Sequence, residues 1–300
     1  MNRNFAIAAG LAALASLCWA GNWVLGRAIR ADVPPFGLTF WRWFLAALIL
    51  LPFEARRLRT DWAEVRAHLP LVAGMAVLSA GMFQSMTYIG LHSTEAINAL
   101  LVSATMPVFV VIIAWIVLRE RLSLRQALGI GVSFCGVAWI IARGDPARLL
   151  DLHFNVGDAW ILGALVVWGI YSVLLKFRPK GLSPVGLTFF IALGGAAVML
   201  PFMLWEVSRG LHVPLAPAGL GAVAYTALFA SVVALLSYNA AVARIGPSRS
   251  VFFLHLMPVF GAGLAVVFLG ETIAGYHMIG FPVALGGVLW ATAAPAGRAG

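Results

Sequence analysis

Charged residues are scarce in this sequence. Only 10% of its 300 residues are Asp, Glu, Lys or Arg, whereas 62% are hydrophobic. Soluble proteins have about 25% charged and roughly 45–50% apolar residues. A chain with so few polar side chains cannot cover a folded surface with them, so lipid has to cover it. The composition therefore excludes a water-soluble domain and predicts an integral membrane protein.

Residues and motifs for catalysis are also missing. The two cysteines, Cys18 and Cys135, lie in apolar segments, which favours packed free thiols over a disulfide or a metal site. No His-Glu-x-x-His motif, Gly-x-Ser-x-Gly motif or glycine-rich phosphate loop occurs. The aspartates all fall in loops or at the ends of apolar segments, which argues against an intramembrane aspartyl protease. We expect neither an enzyme nor a bound metal or cofactor.

Long apolar segments make up most of the chain. A hydrocarbon core about 30 Å thick needs roughly 20 apolar residues per helix. The segments between charges and turn residues predict an all-α membrane protein with ten transmembrane helices, at 6–28, 36–53, 70–90, 95–118, 124–142, 158–176, 184–205, 217–242, 248–269 and 275–294. The longest connection, 54–69, is predicted to form an amphipathic turn at the membrane surface. Ser123 and Gln126 form a predicted capping box at the start of the fifth helix.

The second half of the chain repeats the first. Met106-Pro107-Val108-Phe109 recurs as Met257-Pro258-Val259-Phe260, 151 positions later. In the earlier helices the spacing is 149, as for Trp19 and Trp168. This predicts two five-helix domains, 1–150 and 151–300. Because five is an odd number, the second copy has to be inverted in the membrane relative to the first, which is the architecture of many secondary transporters.

Small residues recur in the last helix of each copy. The spacings Gly129-x-x-x-Ser133 and Gly280-x-x-x-Ala284 allow close contact between two helices in a membrane. We therefore expect the fifth and tenth helices to pack against each other if they meet.

The basic residues indicate the orientation of the chain. The net charge of +9 does not indicate nucleic-acid binding, because the basic residues form no stripe with interleaved aromatic residues. They lie in short loops, fourteen on the side of the N-terminus and five on the other side. By the positive-inside rule, both termini are predicted to be cytoplasmic.

Two prolines interrupt equivalent helices. Pro107 and Pro258 cannot donate the backbone hydrogen bond to the residue four positions earlier, so the carbonyl groups of Ser103 and Leu254 need other partners. Broken helices at mid-depth in both copies favour a transport site, although a bend that serves packing alone remains possible.

Polar and aromatic side chains cluster near these prolines. Amide side chains in lipid are costly, so they are expected to face protein or a wet cavity. The predicted central substrate cavity is lined by Trp19, Asn22, Trp23, Gln84, Tyr88, Asn98, Ser103, Trp168, Tyr171, Tyr225, Tyr238 and His255.

Two ionisable residues lie inside the predicted helices. Arg42 either serves the transport site or extends its side chain to the headgroups, since it lies near one end of the second helix. His255 lies three residues before Pro258 and is either a neutral structural histidine or part of a proton-linked mechanism.

The sequence resembles the ten-helix branch of the drug/metabolite transporter superfamily, which is built from a duplicated EamA-type unit. The resemblance rests on the repeated Met-Pro-Val-Phe, the following Leu-x-Glu and a later Gly-x-x-x-x-x-x-Gly-Val, and it covers essentially the whole chain. Within that branch the sequence is similar to bacterial inner-membrane exporters of aromatic and other amino acids and metabolites. The resemblance implies a central cavity, alternating access and a small-molecule substrate moved across a lipid bilayer.

The leading hypothesis is therefore an inner-membrane exporter of amino acids, aromatic ones included, and related metabolites. A cavity of Trp, Tyr and amide side chains suits a small zwitterion with an apolar body. A multidrug exporter of lipophilic compounds and a passive facilitator channel remain as alternatives. The sequence does not indicate an oligomeric state.

Overall fold

The structure, a computed structural model, describes residues 3–29, 33–93, 102–150, 155–269 and 275–292. These residues form helices and connecting turns, without a strand among them. Within the described ranges, eight helical segments are long and apolar enough to cross a membrane: Arg3–Asn22, Pro35–Glu54, Leu69–Thr87, Leu124–Ile141, Val156–Phe177, Pro184–Ser208, Pro217–Ile245 and Pro247–Phe268. Each lies at a position predicted from the sequence.

The described residues of the first half include eight helices. They are α1 (Arg3–Ile29), α2 (Pro35–Glu54), α3 (Leu58–Ala67), α4 (Leu69–Ala76), α5 (Phe83–Ser93), α6 (Met106–Leu118), α7 (Leu124–Ile141) and α8 (Ala147–Leu150). A π-helical segment, Val77–Met82, joins α4 to α5. The predicted surface turn after α2 is the helix α3.

The described residues of the second half include seven α-helices. They are α9 (Val156–Leu174), α10 (Pro184–Ser208), α11 (Pro217–Tyr225), α12 (Ala234–Ile245), α13 (Pro247–Ser250), α14 (Leu256–Leu269) and α15 (Gly275–Thr292). A 3-10 turn, Leu175–Phe177, follows α9. A π-helical segment, Thr226–Val233, joins α11 to α12, and a 3-10 segment, Val251–His255, joins α13 to α14. The shorter apolar helix Val102–Leu118 and α15 occupy the positions of the remaining two predicted spans.

Local hydrogen bonds explain where several helices begin. The predicted capping box of α7 is confirmed: Gln126 N donates to Ser123 Oγ, and Ser123 N donates to Gln126 Oε1. A second capping box, not predicted, joins Asn155 and Asp158 at the start of α9. Such boxes satisfy backbone donors that have no partner within the helix.

Helices α7 and α15 pack closely through small residues. A β-carbon at Gly129 would meet the backbone of Ala291, and one at Gly136 would meet the backbone of Ala284. Any larger side chain at these glycines would separate the two helices. The predicted contact between the fifth and tenth helices is therefore confirmed.

Equivalent contacts recur with the two copies exchanged. A β-carbon at Gly280 would meet Ile140, and one at Gly287 would meet the backbone of Ser133. The residues in these contacts are equivalent positions of the two copies, 151 positions apart. The equivalent pairs are Gly129 and Gly280, Gly136 and Gly287, Ser133 and Ala284, and Ile140 and Ala291. Each contact thus has a counterpart with the roles of the two copies reversed, as two-fold related surfaces have.

Helices α2 and α10 run antiparallel. Glu206, near the end of α10, caps the start of α2, and two acids, Glu54 at the end of α2 and Asp61 in α3, lie at the start of α10. At one end, the backbone N–H groups of Phe36 and Gly37 donate to the Glu206 carboxylate at 3.1 and 2.6 Å. At the other end, Ser183, the N-cap of α10, donates its hydroxyl to Asp61 at 2.9 Å and to Glu54 at 3.4 Å. The Glu206 carboxylate at the start of α2 is favoured by the helix dipole.

The two cysteines differ in their surroundings. Both are free thiols, as predicted, and Cys18 is buried in α1. Cys135 is exposed on the surface of α7. The prediction that Cys135 is packed inside the protein is therefore wrong, because its side of α7 faces away from the neighbouring helices.

Candidate functional site

Aromatic rings from four elements meet in the interior of the protein. The ring of Trp168 in α9 lies 5.3 Å from Trp19 in α1, 5.5 Å from Tyr238 in α12 and 4.9 Å from Phe83 in α5, measured between centroids. Tyr171 adds a further contact with Trp168 at 5.3 Å. We call Trp19, Phe83, Trp168, Tyr171 and Tyr238 the aromatic cluster. Edge-to-face and tilted arrangements of this kind are the favourable ones for aromatic pairs.

Hydroxyl groups of the cluster bond to polar side chains on neighbouring helices. The Tyr171 hydroxyl donates to Asn239 Oδ1 at 2.8 Å, and the Tyr238 hydroxyl shares a hydrogen bond with Ser172 Oγ at 3.1 Å. Both tyrosine side chains are fully buried. In this conformation they fill the centre of the protein and do not line open space.

The two π-helical segments lie at equivalent positions of the two copies. Val77 and Thr226, the first residues of the segments, stand 149 positions apart. A π turn displaces carbonyl groups from the α-helical pattern and is found frequently at functional sites. The carbonyl of Ala230 is one such group, and it accepts from Trp19 Nε1 at 3.0 Å and from Arg42 Nη2 at 3.3 Å. Neither π turn was predicted, because no residue pattern in the sequence marks these segments.

Arg42 points into the protein from α2. Its Nε donates to Ser231 Oγ at 3.0 Å, and its Nη1 donates to Gln84 Oε1 at 3.4 Å. The side chain is buried, and its guanidinium lies 5.1 Å from the ring centroid of Trp43. Arg42 therefore lies inside the protein and does not extend its side chain to the headgroups.

His255 connects three segments. Its Nε2 lies 2.9 Å from the carbonyl oxygen of Ala104, and its Nδ1 lies 2.7 Å from Ser133 Oγ in α7. A carbonyl oxygen can only accept, so Nε2 carries a proton, and in a neutral ring Nδ1 accepts from the Ser133 hydroxyl. The histidine is buried and joins the 3-10 segment to α7 and to the residues before α6.

Both helix-breaking prolines lie at the start of a helix. Pro107 is the second residue of α6, where Val108 N donates to Thr105 O at 2.9 Å in place of Ala104 O. This leaves the Ala104 carbonyl available to His255. Pro258 is the third residue of α14, directly after the 3-10 segment. The predicted breaks are confirmed, but among the residues that the structure describes a side chain bonds to the carbonyl of Ala104 and not to that of Ser103.

The other predicted cavity residues lie around this centre. The Tyr225 hydroxyl donates to the Cys18 carbonyl at 3.0 Å and contacts α1 at Gly21. Gln84 bonds to Arg42, and Asn22 and Ser103 are partly buried. Asn98 lies outside the described residues, and so do the side chains of Trp23 and Tyr88.

Comparison with known proteins identifies the family. The model of the EamA-like transporter family matches residues 6–142 and 155–293. The chain is 27% identical over 259 residues to the uncharacterized transporter YyaM of Bacillus subtilis (strain 168), covering 86% of this chain and 84% of that protein. It is 28% identical over 222 residues to a probable terminal-alkyne amino-acid exporter of Streptantibioticus cattleyicolor, covering 74% and 72% of the two chains.

A known crystal structure supports the same assignment at the level of the fold. It is 20% identical in sequence and superposes with a TM-score of 0.74, covering 95% of this chain and 96% of that chain. The match to the family spans most of the sequence. The chain belongs to the EamA-like transporter family of the drug/metabolite transporter superfamily, and it is a multi-pass membrane transporter, not an enzyme.

Proposed function

We propose that the protein exports amino acids, aromatic ones included, and related small metabolites across the bacterial inner membrane by alternating access. The observation that carries the proposal is the contact between Trp19 and Trp168. These residues are equivalent in the two copies, and their rings lie 5.3 Å apart at the centre of the aromatic cluster. A site at this point would be formed equally by both halves. Inverted-repeat transporters bind their substrates at the interface between the two repeats.

The proposed architecture is two inverted five-helix repeats, 1–150 and 151–300, that provide ten spans around this centre. Three findings support it: the reciprocal glycine contacts of α7 and α15, the antiparallel packing of the equivalent helices α2 and α10, and the two separate stretches matched by the family. Antiparallel packing of two equivalent helices is the arrangement expected when one copy is inverted relative to the other.

The chemistry of the centre suits an amino acid with an apolar side chain. Stacking on Trp19 or Trp168 would hold the apolar body, while Arg42 and the Ala230 carbonyl lie beside it for a carboxylate and an ammonium. The similarity to a probable amino-acid exporter is consistent with this substrate class. The excess of basic residues on one side supports cytoplasmic termini.

Counterflow in proteoliposomes tests the substrate and the mechanism together. Vesicles that contain the purified protein are loaded with unlabelled phenylalanine, and uptake of labelled phenylalanine, leucine and a quaternary-ammonium drug is followed with and without a pH gradient. We expect transient accumulation of the amino acids with saturable rates. Movement of the drug alone would replace the proposal by a multidrug exporter, and non-saturable flux without counterflow would indicate a channel.

A further inference from the structure

We propose that the exposed face of α3 binds the phosphate headgroup of an anionic phospholipid. This face includes a shallow, open depression lined by Trp62, Ala63, Arg66 and Ala67. It is separate from the aromatic cluster. The proposal depends only on the membrane-embedded fold, so its failure would leave the proposed transport function untouched.

One face of α3 carries the groups that such a headgroup needs. Four exposed residues of α3 follow the spacing i, i+3, i+4 and i+7, which places them on the same side of the helix. They are Arg59, Trp62, Ala63 and Arg66. The opposite face of the helix is buried at Asp61 and Val65. Two guanidinium groups one turn to either side of a tryptophan thus form a compact basic surface.

The charge of this surface is predominantly positive. The segment 54–69 contains four arginines and three acids, but Glu54 and Asp61 are completely buried. Neither Arg59 nor Arg66 forms an ion pair or a hydrogen bond with any residue that the structure describes. Their guanidinium groups are therefore available to phosphate oxygens, which they can bind in a bidentate manner.

The position of α3 favours a lipid over a soluble anion. The helix lies between the end of α2 and the start of α4, so it is located where two membrane-crossing segments end. Phe53 and Leu69, just before and just after it, are 73% and 47% exposed, so apolar surface for acyl chains lies next to the basic face. Trp62 packs on Phe190 of α10 at 5.9 Å, and tryptophan prefers this interfacial depth.

Native mass spectrometry of the full chain in a nonionic detergent tests the proposal. Phosphatidylglycerol and phosphatidylcholine with the same acyl chains are titrated separately. We expect one phosphatidylglycerol to bind per chain with at least about tenfold preference over phosphatidylcholine. The variant Arg59→Gln/Arg66→Gln should bind it about 25-fold more weakly, since each arginine near an anionic lipid contributes roughly fivefold.

Two controls separate charge from general damage. Arg59→Lys/Arg66→Lys keeps the charge and should retain most of the affinity. Arg209→Gln removes another exposed arginine, whose guanidinium lies 5.4 Å from the ring centroid of Trp205, and should bind like the wild type. Thermal unfolding of each variant confirms that it is folded.

Three results would overturn the proposal. They are equal binding of the two lipids by the wild type, unchanged binding of phosphatidylglycerol by the double glutamine variant, and equally tight binding of glycerol phosphate, which lacks acyl chains. The last result would show a site for a soluble phosphate compound instead of a lipid.

Discussion

The imidazole Nε2 of His255 bonds to the carbonyl oxygen of Ala104, the residue at the equivalent position 151 places earlier in the chain. Two equivalent positions of the repeated sequence are therefore in direct contact. Only one copy has a histidine at this position, so a single imidazole joins both broken helices at their breaks. The duplicated chain is therefore not symmetric at the point where its halves meet.

Replacement of His255 should weaken the fold. In His255→Ala the Ala104 carbonyl and the Ser133 hydroxyl both lose their partner, and an unsatisfied buried polar group costs about 1–3 kcal/mol. We expect a lower unfolding temperature in detergent. We also expect His255→Gln to transport with the same dependence on external pH as the wild type, measured in proteoliposomes. A changed pH dependence would assign the histidine a proton-linked role.

The contact between α7 and α15 provides a test with a matched control. Gly136→Ala places a methyl group against the backbone of Ala284 and should force the helices apart, with a marked loss of thermal stability. Gly131 lies on the same helix, and a β-carbon there has no neighbour within 4 Å. Gly131→Ala should be neutral or stabilise by up to about 1 kcal/mol. Equal effects of the two substitutions would contradict the close packing.

Arg42 should be sensitive even to a conservative change. Lysine cannot reproduce donation from Nε to Ser231 together with donation from Nη2 to Ala230. We expect Arg42→Lys to lower the counterflow rate by about tenfold, which corresponds to the loss of about 1.4 kcal/mol. Arg125→Lys, an exposed position on α7, is the control. If Arg42→Lys shows the wild-type counterflow rate, the guanidinium group has no specific role in transport.

Because Glu206 caps α2, its replacement should lower the stability of the protein moderately. The carboxylate accepts from two backbone N–H groups, and Gln offers only one acceptor oxygen without a charge. Glu206→Gln should reduce stability by about 1–2 kcal/mol through the lost bond and the lost interaction with the helix dipole. Glu64→Gln, at a partly exposed position on α3, should have a much smaller effect on thermal unfolding. Similar losses in both variants would argue against a specific cap.

The sequence by itself determined the helical membrane fold, the positions of the spans, the breaks at Pro107 and Pro258 and the capping box at Ser123. Hydropathy, proline geometry and capping act between residues that are close in the chain, so they can be recognised without a structure. The repeat of Met-Pro-Val-Phe likewise requires only the comparison of one half with the other.

Only the tertiary structure decided what the interior residues contact. Arg42 bonds to Ser231 and Ala230, nearly 200 positions away, and nothing near Arg42 in the sequence distinguishes this from a side chain extended to the headgroups. The π turns that expose the Ala230 carbonyl and the choice of Ala104 as the partner of His255 also depend on packing between helices. Contacts between distant segments follow from the way the helices fit together, and a local sequence pattern does not contain that information.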